Sequence, residues 1–396
     1  MKKFLTNILN SKYIFIVILC IFFEPQMFKE NYYPLLSKID FIYKILKIVC
    51  VIFLLFIYFK NKKISKLFIL MTVFQCFALF STVIGNGSIS RFIGPALTTL
   101  AMIMLAEILI NRKELFSVMK ICIYYFRICF IINIISIIII DFICHSDIKL
   151  YFLGIDNRFI FTYLPWISFE FMYSLYSKNK IDRSSILSLI LCELTLFYRF
   201  SVAAMFTFCL WAIIFINSNH VSKFIKRYFI CTLGCNVLIV LFKVQNLFKP
   251  FLDTVGKDIT LSGRTYLWDA VFNLIKSKPL FGNGMQSVAY DKNFFFHSSS
   301  CELDFLAVSH AHNSYVTVLY RYGIIGLIIY LKIFWTTVGS LSKNFNNKYA
   351  KVLSLAILIS LILAIFDTID YSGLYFLLAL ACSINLIGGK ETITYE

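Results

Sequence analysis

The run ICIYYFRICFIINIISIIIIDFI, residues 121–143, holds one arginine and one aspartate in otherwise apolar or uncharged sequence. A spanning helix needs about 20 mostly apolar residues, and this stretch meets that length unaided. Working outward, comparable segments fall at 12–28, 41–59, 67–84 and 92–110 before it, and at 159–176, 184–198, 200–216, 229–245, 313–335, 352–369 and 371–388 after it. The reading is an all-α integral membrane protein of about twelve transmembrane helices. The bulk numbers agree: across 396 residues, 60% are hydrophobic, 18% aromatic and only 15% charged, too little polar surface to cover a soluble fold of this size.

The positions of lysine and arginine in the short loops set the orientation. Lys2, Lys3 and Lys12 begin one side, and the loops carrying Lys60, Lys62, Lys63 and Lys66, then Arg112, Lys113 and Lys120, share it. Lys178, Lys180 and Arg183, then Lys223, Lys226 and Arg227, then Lys343, Lys348 and Lys351 continue the set. The alternate loops are poorer, with Arg91 in one and Lys149 and Arg158 in another. Both termini are therefore expected in the cytoplasm of a bacterial cell, in a multi-pass protein of the cytoplasmic (inner) membrane. The organisation expected is nine helices over 1–244, a large extracytoplasmic loop over 245–312, and three helices with a short cytoplasmic tail over 313–396.

The formal charge of +17 follows from the same bias, because cytoplasmic loops adjoin anionic headgroups of the lipid bilayer. Nucleic-acid binding is not indicated. The basic start followed by an apolar run has no small-residue cleavage site, so it reads as a retained first helix. Of twelve cysteines, most sit inside spans, where a thiol behaves as a small hydrophobe. Only Cys144 and Cys301 fall on the outward side as a candidate pair, and the lack of a CxxC motif argues against a metal or redox framework.

The long break holds the chemistry. Ser262 is placed to cap a helix; Leu267, Ala270, Val271, Leu274 and Ile275 then repeat at helical spacing until Pro279 stops the run. This predicts a short amphipathic helix of about four turns, resting on the bundle or the outer interface, with Trp268 suited to the interface level. Arg264 lies in its first turn, where the helix dipole disfavours a cation unless an anion is near. A diphosphate would use both the guanidinium fork and the free N–H groups there; a solvated arginine is the plainer alternative. Gly282-Asn283-Gly284 reads as a sharp turn returning the chain to the membrane.

His310 and His312 stand two apart before the tenth span, with Asn313 next. A zinc site would lack its usual ligand spacing, and no metal or other cofactor is expected. The alternatives for an imidazole here are a structural histidine at the interface and a general base, kept neutral by a neighbouring arginine.

At these residues the chain resembles the bacterial O-antigen ligase and Wzy-type polysaccharide polymerase superfamily. His312-Asn313, nine residues from Ser314 to Tyr322, and Gly323-Ile324-Ile325-Gly326 match that family's His-Asn and Gly-x-x-Gly spacing. Gly263-Arg264 followed by Trp268, and the run from Lys276 through Pro279-Leu280-Phe281 to Gly282-Asn283-Gly284, resemble it too. Arg199 takes the place of a mid-chain arginine, with Tyr198 where the family has serine or threonine. Arg321 stands where relatives often have an acid, and Asp367 fits an aspartate near the eleventh span.

The resemblance implies a GT-C-like glycosyltransferase architecture and metal-independent glycan transfer from a polyprenyl diphosphate at the outer membrane face. It gives His312, Arg264 and Arg199 catalytic roles, with Arg199 and Arg264 sharing one diphosphate pocket, and counts Asn313, His310, Trp268 and Asp367 as substrate-binding. The expected reaction polymerises undecaprenyl-diphosphate-linked oligosaccharide units into O-antigen or capsular polysaccharide, with a flippase and a chain-length regulator as partners. The alternatives are an O-antigen ligase that transfers to the lipid A core, and a transporter or flippase for lipid-linked glycans, which would line a path through the membrane with charge. Glu170 and Glu193 are the deepest acids inside spans; Arg127, Lys44, Lys47 and Lys332 are expected to snorkel.

Overall fold

The computed structural model describes residues 11–29, 34–60, 64–145, 149–155, 158–199, 218–248, 264–286 and 310–387. The regular structure among them is helical, apart from an isolated bridge between Tyr151 and Gly154. Twelve α-helices are described: α1 Lys12–Phe22, α2 Pro34–Lys60, α3 Lys66–Ile84, α4 Ile89–Asn111, α5 Leu115–Ile138, α6 Ile160–Lys178, α7 Arg183–Tyr198, α8 Ser218–Val240, α9 Arg264–Ser277, α10 Ser314–Lys343, α11 Lys348–Phe366 and α12 Ser372–Cys382. Six of these, α2 to α5, α10 and α11, are long and apolar enough to cross a membrane, α5 together with its π-helical extension Ile139–Ile143. The chain is an integral membrane protein. Segment 200–216, read as a span, lies outside the described residues, as do Cys301, Ser262 and Gly263.

Local chemistry explains where the helices differ from the expected bounds. The first stops at Phe22 and not near residue 28, because Pro25 disfavours helical backbone at Glu24; a single 3-10 turn, Gln26–Lys29, follows. α10 runs on to Lys343, well past residue 335, and α12 gives way to a 3-10 turn after Cys382.

α11 is the centre of the bundle. Nearly all of its side chains are buried, as expected of a helix that is apolar all round, and α6, α8, α10 and α12 pack about it. α2 is the opposite case. Phe41, Ile45, Ile52 and Phe56 are exposed on it, an apolar face of the kind that meets lipid.

Two of the expected snorkelling lysines also form ion pairs. Lys47 donates to Glu24, and Lys44 lies 2.5 Å from Asp40 on its own helix. Arg127 likewise binds Glu170 through two bonds, at 2.8 and 3.0 Å. An ion pair inside the bundle lowers the cost of each buried charge, which extension toward the headgroups was expected to do.

The glycine motifs form a clamp. α10 breaks at Gly323, whose φ of 62° and ψ of −169° belong to a region that glycine alone occupies without strain. The turn after α9 plugs into this break. Asn283 N–H donates to Tyr320 O at 2.9 Å, Gly284 N–H to Arg321 O at 2.7 Å, and Ile324 N–H to Pro279 O at 2.9 Å. The Ser81 hydroxyl of α3 bonds both Phe281 O and Arg321 O. Gly282-Asn283-Gly284 is thus a structural turn that fastens the start of α10 to α3.

Candidate functional site

The site is assembled at the start of α10. Asn313 caps that helix, its Oδ1 accepting from Val316 N–H at 2.9 Å. Its amide nitrogen donates to Asn236 Oδ1 of α8 at 2.6 Å and to Ile365 O of α11 at 2.9 Å. The side chain is fully buried and its polar atoms are committed, so Asn313, counted above as substrate-binding, works as the pin that joins three helices.

His312 precedes it with φ 46°, a left-handed conformation that turns the chain sharply. The rings of His310 and His312 meet edge to face with centroids 4.5 Å apart, and His312 N–H donates to His310 Nδ1 at 3.3 Å. The intervening Ala311 is held on both sides. Its N–H donates to Thr317 Oγ1 at 3.1 Å, and its carbonyl accepts from Trp268 Nε1 at 2.9 Å. Trp268 does not face lipid: it is buried, together with Leu267, Val271 and Ile275 of α9, against Val316 and Tyr320 of α10. An indole whose N–H finds a partner can be buried whole, and this one fixes the histidine turn.

Asp367 closes the cluster one residue beyond α11. Its backbone carbonyl accepts from Ser314 Oγ at 3.0 Å, its Oδ1 accepts from Thr368 N–H at 2.7 Å, and the same oxygen lies 3.5 Å from His312 Nδ1. Burial opposes its charge, yet the His312 and His310 imidazoles and the Thr368 N–H hold its pKa below the ordinary value.

Arg264 resolves its unfavourable place in the dipole of α9 by reaching another helix. Its Nη1 donates to the carbonyl of Phe366, the last residue of α11, where the partial charge is negative and a cation is welcome. Burial lowers its pKa, and Asp367 opposes that shift. A guanidinium has five donors, so the one on Phe366 orients the group while others remain to meet an anion.

The contacts thus bring His310, His312, Asn313, Trp268, Arg264 and Asp367 together. Arg199 belongs to a second cluster. It caps α7 and pairs with Asp141 of the π-helical extension at 2.5 Å, its guanidinium 4.8 Å from the centroid of Tyr151, while Tyr151 donates to the same carboxylate at 2.7 Å. The contacts described for Arg199 are with Asp141 and Tyr151, and that described for Arg264 is with Phe366.

Two cations not counted among the expected site residues also act on it. Arg158, just before α6, and Arg321, on α10, are close enough to push His310 toward its neutral form. Burial is the main cause of that push, followed by His312, and the His310 pKa falls to about 4. Arg321 also lines an open pocket of about 580 Å³, its mouth included, with Ser314, Thr317 and Thr368. Helical spacing could have found this set, because Ser314, Thr317 and Arg321 recur at i, i+3 and i+7 along one face. Donor atoms of His310, His312 and Asp367 all lie within 4.8 Å of one another, a convergence that the two-residue spacing of the histidines did not announce.

The model of a family described as O-antigen ligase matches residues 186–331, a span that includes Arg199, Arg264, His310 and His312 but stops short of Asp367. An 82-residue stretch is 38% identical to the exopolysaccharide production protein ExoQ of Rhizobium meliloti (strain 1021), covering 20% of this chain and 18% of that relative. The chain therefore aligns with less than a fifth of the length of the curated relative it matches.

Proposed function

From a chain in which residues 186–331 carry the domain of the O-antigen ligase and Wzy superfamily, we propose an enzyme that polymerises lipid-linked oligosaccharide units. Twelve spans, cytoplasmic termini and an outward-facing 245–312 loop in the bacterial inner membrane complete this reading. The donor is a glycan on undecaprenyl diphosphate. The acceptor hydroxyl attacks the anomeric carbon, the bond from that carbon to the diphosphate oxygen breaks, and the lipid diphosphate leaves with the electron pair. No nucleotide is required, since the activated bond supplies the energy.

His312 takes the acceptor proton. The observation that carries this is the grouping of an imidazole, a carboxylate at its Nδ1 side and a buried guanidinium at the end of α11. Asp367 orients the base and Arg264 meets the charge that develops on the leaving diphosphate. The matched relative, an exopolysaccharide production protein, supports the polymerase reading. The description of the matched family supports the second reading, ligation of finished glycan to lipid A core.

Purified protein supplied with a defined polyprenyl-linked repeat unit should yield a ladder of products. His312→Ala and Arg264→Ala proteins, matched for expression, should yield none, and an unaltered chain yield in both would defeat the assignment. A product formed only when lipid A core is added would select the ligase. The reaction is proposed to be metal-independent, so activity lost to EDTA and restored by a divalent ion would count against it.

A further inference from the structure

A cleft lined by charges of both signs is separate from the histidine cluster. It encloses about 1470 Å³, its open mouth included, between the Glu24–Lys29 turn, the first half of α2, the first half of α4 and the Asp370–Tyr375 stretch. Three ammonium groups, Lys29, Lys44 and Lys47, line it, and so do three carboxylates, Glu24, Asp40 and Asp370. Charges at membrane depth are expensive and mark function by default. Packing alone would be served better by apolar side chains of the same volume.

The balance of charge identifies the ligand. A diphosphate needs a surplus of cations, and here three positive groups face three negative ones. Sugar hydroxyls each donate and accept, so they are matched by alternating donors and acceptors, to which Ser90, Thr98 and Ser372 add hydroxyls. Glu24 fixes one wall of the cleft. Its Oε1 takes both Lys29 and Lys47, which holds two ammonium groups beside the lining hydroxyls.

The cleft is also placed to serve the reaction. Pro95, Asp370 and Tyr375 line both it and the pocket bounded by Ser314, Thr317 and Thr368. Thr317 bonds Ala311, which precedes His312, and Ser314 bonds Asp367 itself. We infer that the Glu24–Lys47–Asp40 cleft is the saccharide subsite for the acceptor glycan, distinct from the diphosphate site at Arg264. The inference rests on the proposed glycan transfer and adds to it where the sugar is read.

Site-specific photo-crosslinking in polymer-producing cells tests it. A benzoylphenylalanine is placed in the full-length chain at Leu97, within the cleft, or at Thr368, beside His312, and adducts are read by mass spectrometry. Sugar-bearing adducts are expected at both positions. Glu24→Gln should cut the Leu97 adduct at least tenfold and leave the Thr368 adduct in place. Lys44→Gln, at a side chain exposed enough to spare the fold, should lower it in the same selective way. Sugar at Thr368 with only phospholipid, or nothing, at Leu97 would overturn the subsite alone. Sugar at neither position would overturn glycan transfer and the subsite with it.

Discussion

His312 Nδ1 stands 3.5 Å from Asp367 Oδ1, across the gap between the start of α10 and the end of α11. A carboxylate on that side favours the tautomer with its hydrogen on Nδ1, which leaves Nε2 free to accept a proton. Asp367→Asn removes this bias without changing shape. It should lower kcat about 100-fold, the usual worth of a well-set general base, with the KM for donor changed far less. Initial rates of chain formation decide the matter, and an unchanged kcat would reduce Asp367 to a strut of the fold.

Gly323 bears on stability, not chemistry. A Cβ there would come 2.2 Å from Leu280 O, on a backbone conformation that costs other residues about 1–3 kcal/mol by itself. Gly323→Ala should therefore lower the melting temperature of the detergent-solubilised protein and loosen the 279–286 turn from α10. Protease sensitivity rising in that turn is the second readout. A melting temperature equal to wild type would mean that the clamp is not closed in solution.

The sequence shows most of the membrane-spanning helices because one period, about 20 apolar residues, marks each of them. Glu24-Pro25 shows where it fails, since backbone chemistry at a proline cuts a run that hydropathy alone would continue. The site is legible in part. His312, Arg264 and Asp367 stand out by motif, but their partners do not, because the bonds that place them are long-range: Trp268 to Ala311, Arg264 to Phe366, Asn313 to Asn236 and Ile365. The pairing of Arg199 is hidden for the same reason, as nothing in its neighbours shows that Asp141, far back in the chain, will meet it.

His310 should make stability depend on pH. Its pKa is ordinarily near 6.5 and falls to about 4 in the fold, chiefly through burial. Below 6.5 the unfolded chain takes up a proton that the folded chain refuses, so stability is full above that value and declines as pH drops toward 4. The loss is roughly 2–3 kcal/mol at most for a group buried to this degree. Thermal melts between pH 7 and 4 should show it, and His310→Gln should flatten the slope. A slope unaltered by that substitution would assign the acid sensitivity to other groups.

The two arginines should part kinetically. Arg264 is anchored on Phe366 next to Asp367, and on the proposed mechanism its charge meets the leaving group as the bond breaks; Arg264→Lys keeps the charge but loses the fork, and should cost kcat about 100-fold. Arg199 is held by Asp141 in its own cluster, where it can help retain an anionic donor without entering the reaction centre. Arg199→Lys should raise the KM for donor about tenfold and leave kcat within a factor of about three, the pattern of a contact equally strong before and during reaction. Equal losses of kcat in both variants would mean that Arg199 leaves Asp141 and joins Arg264 on the diphosphate during turnover.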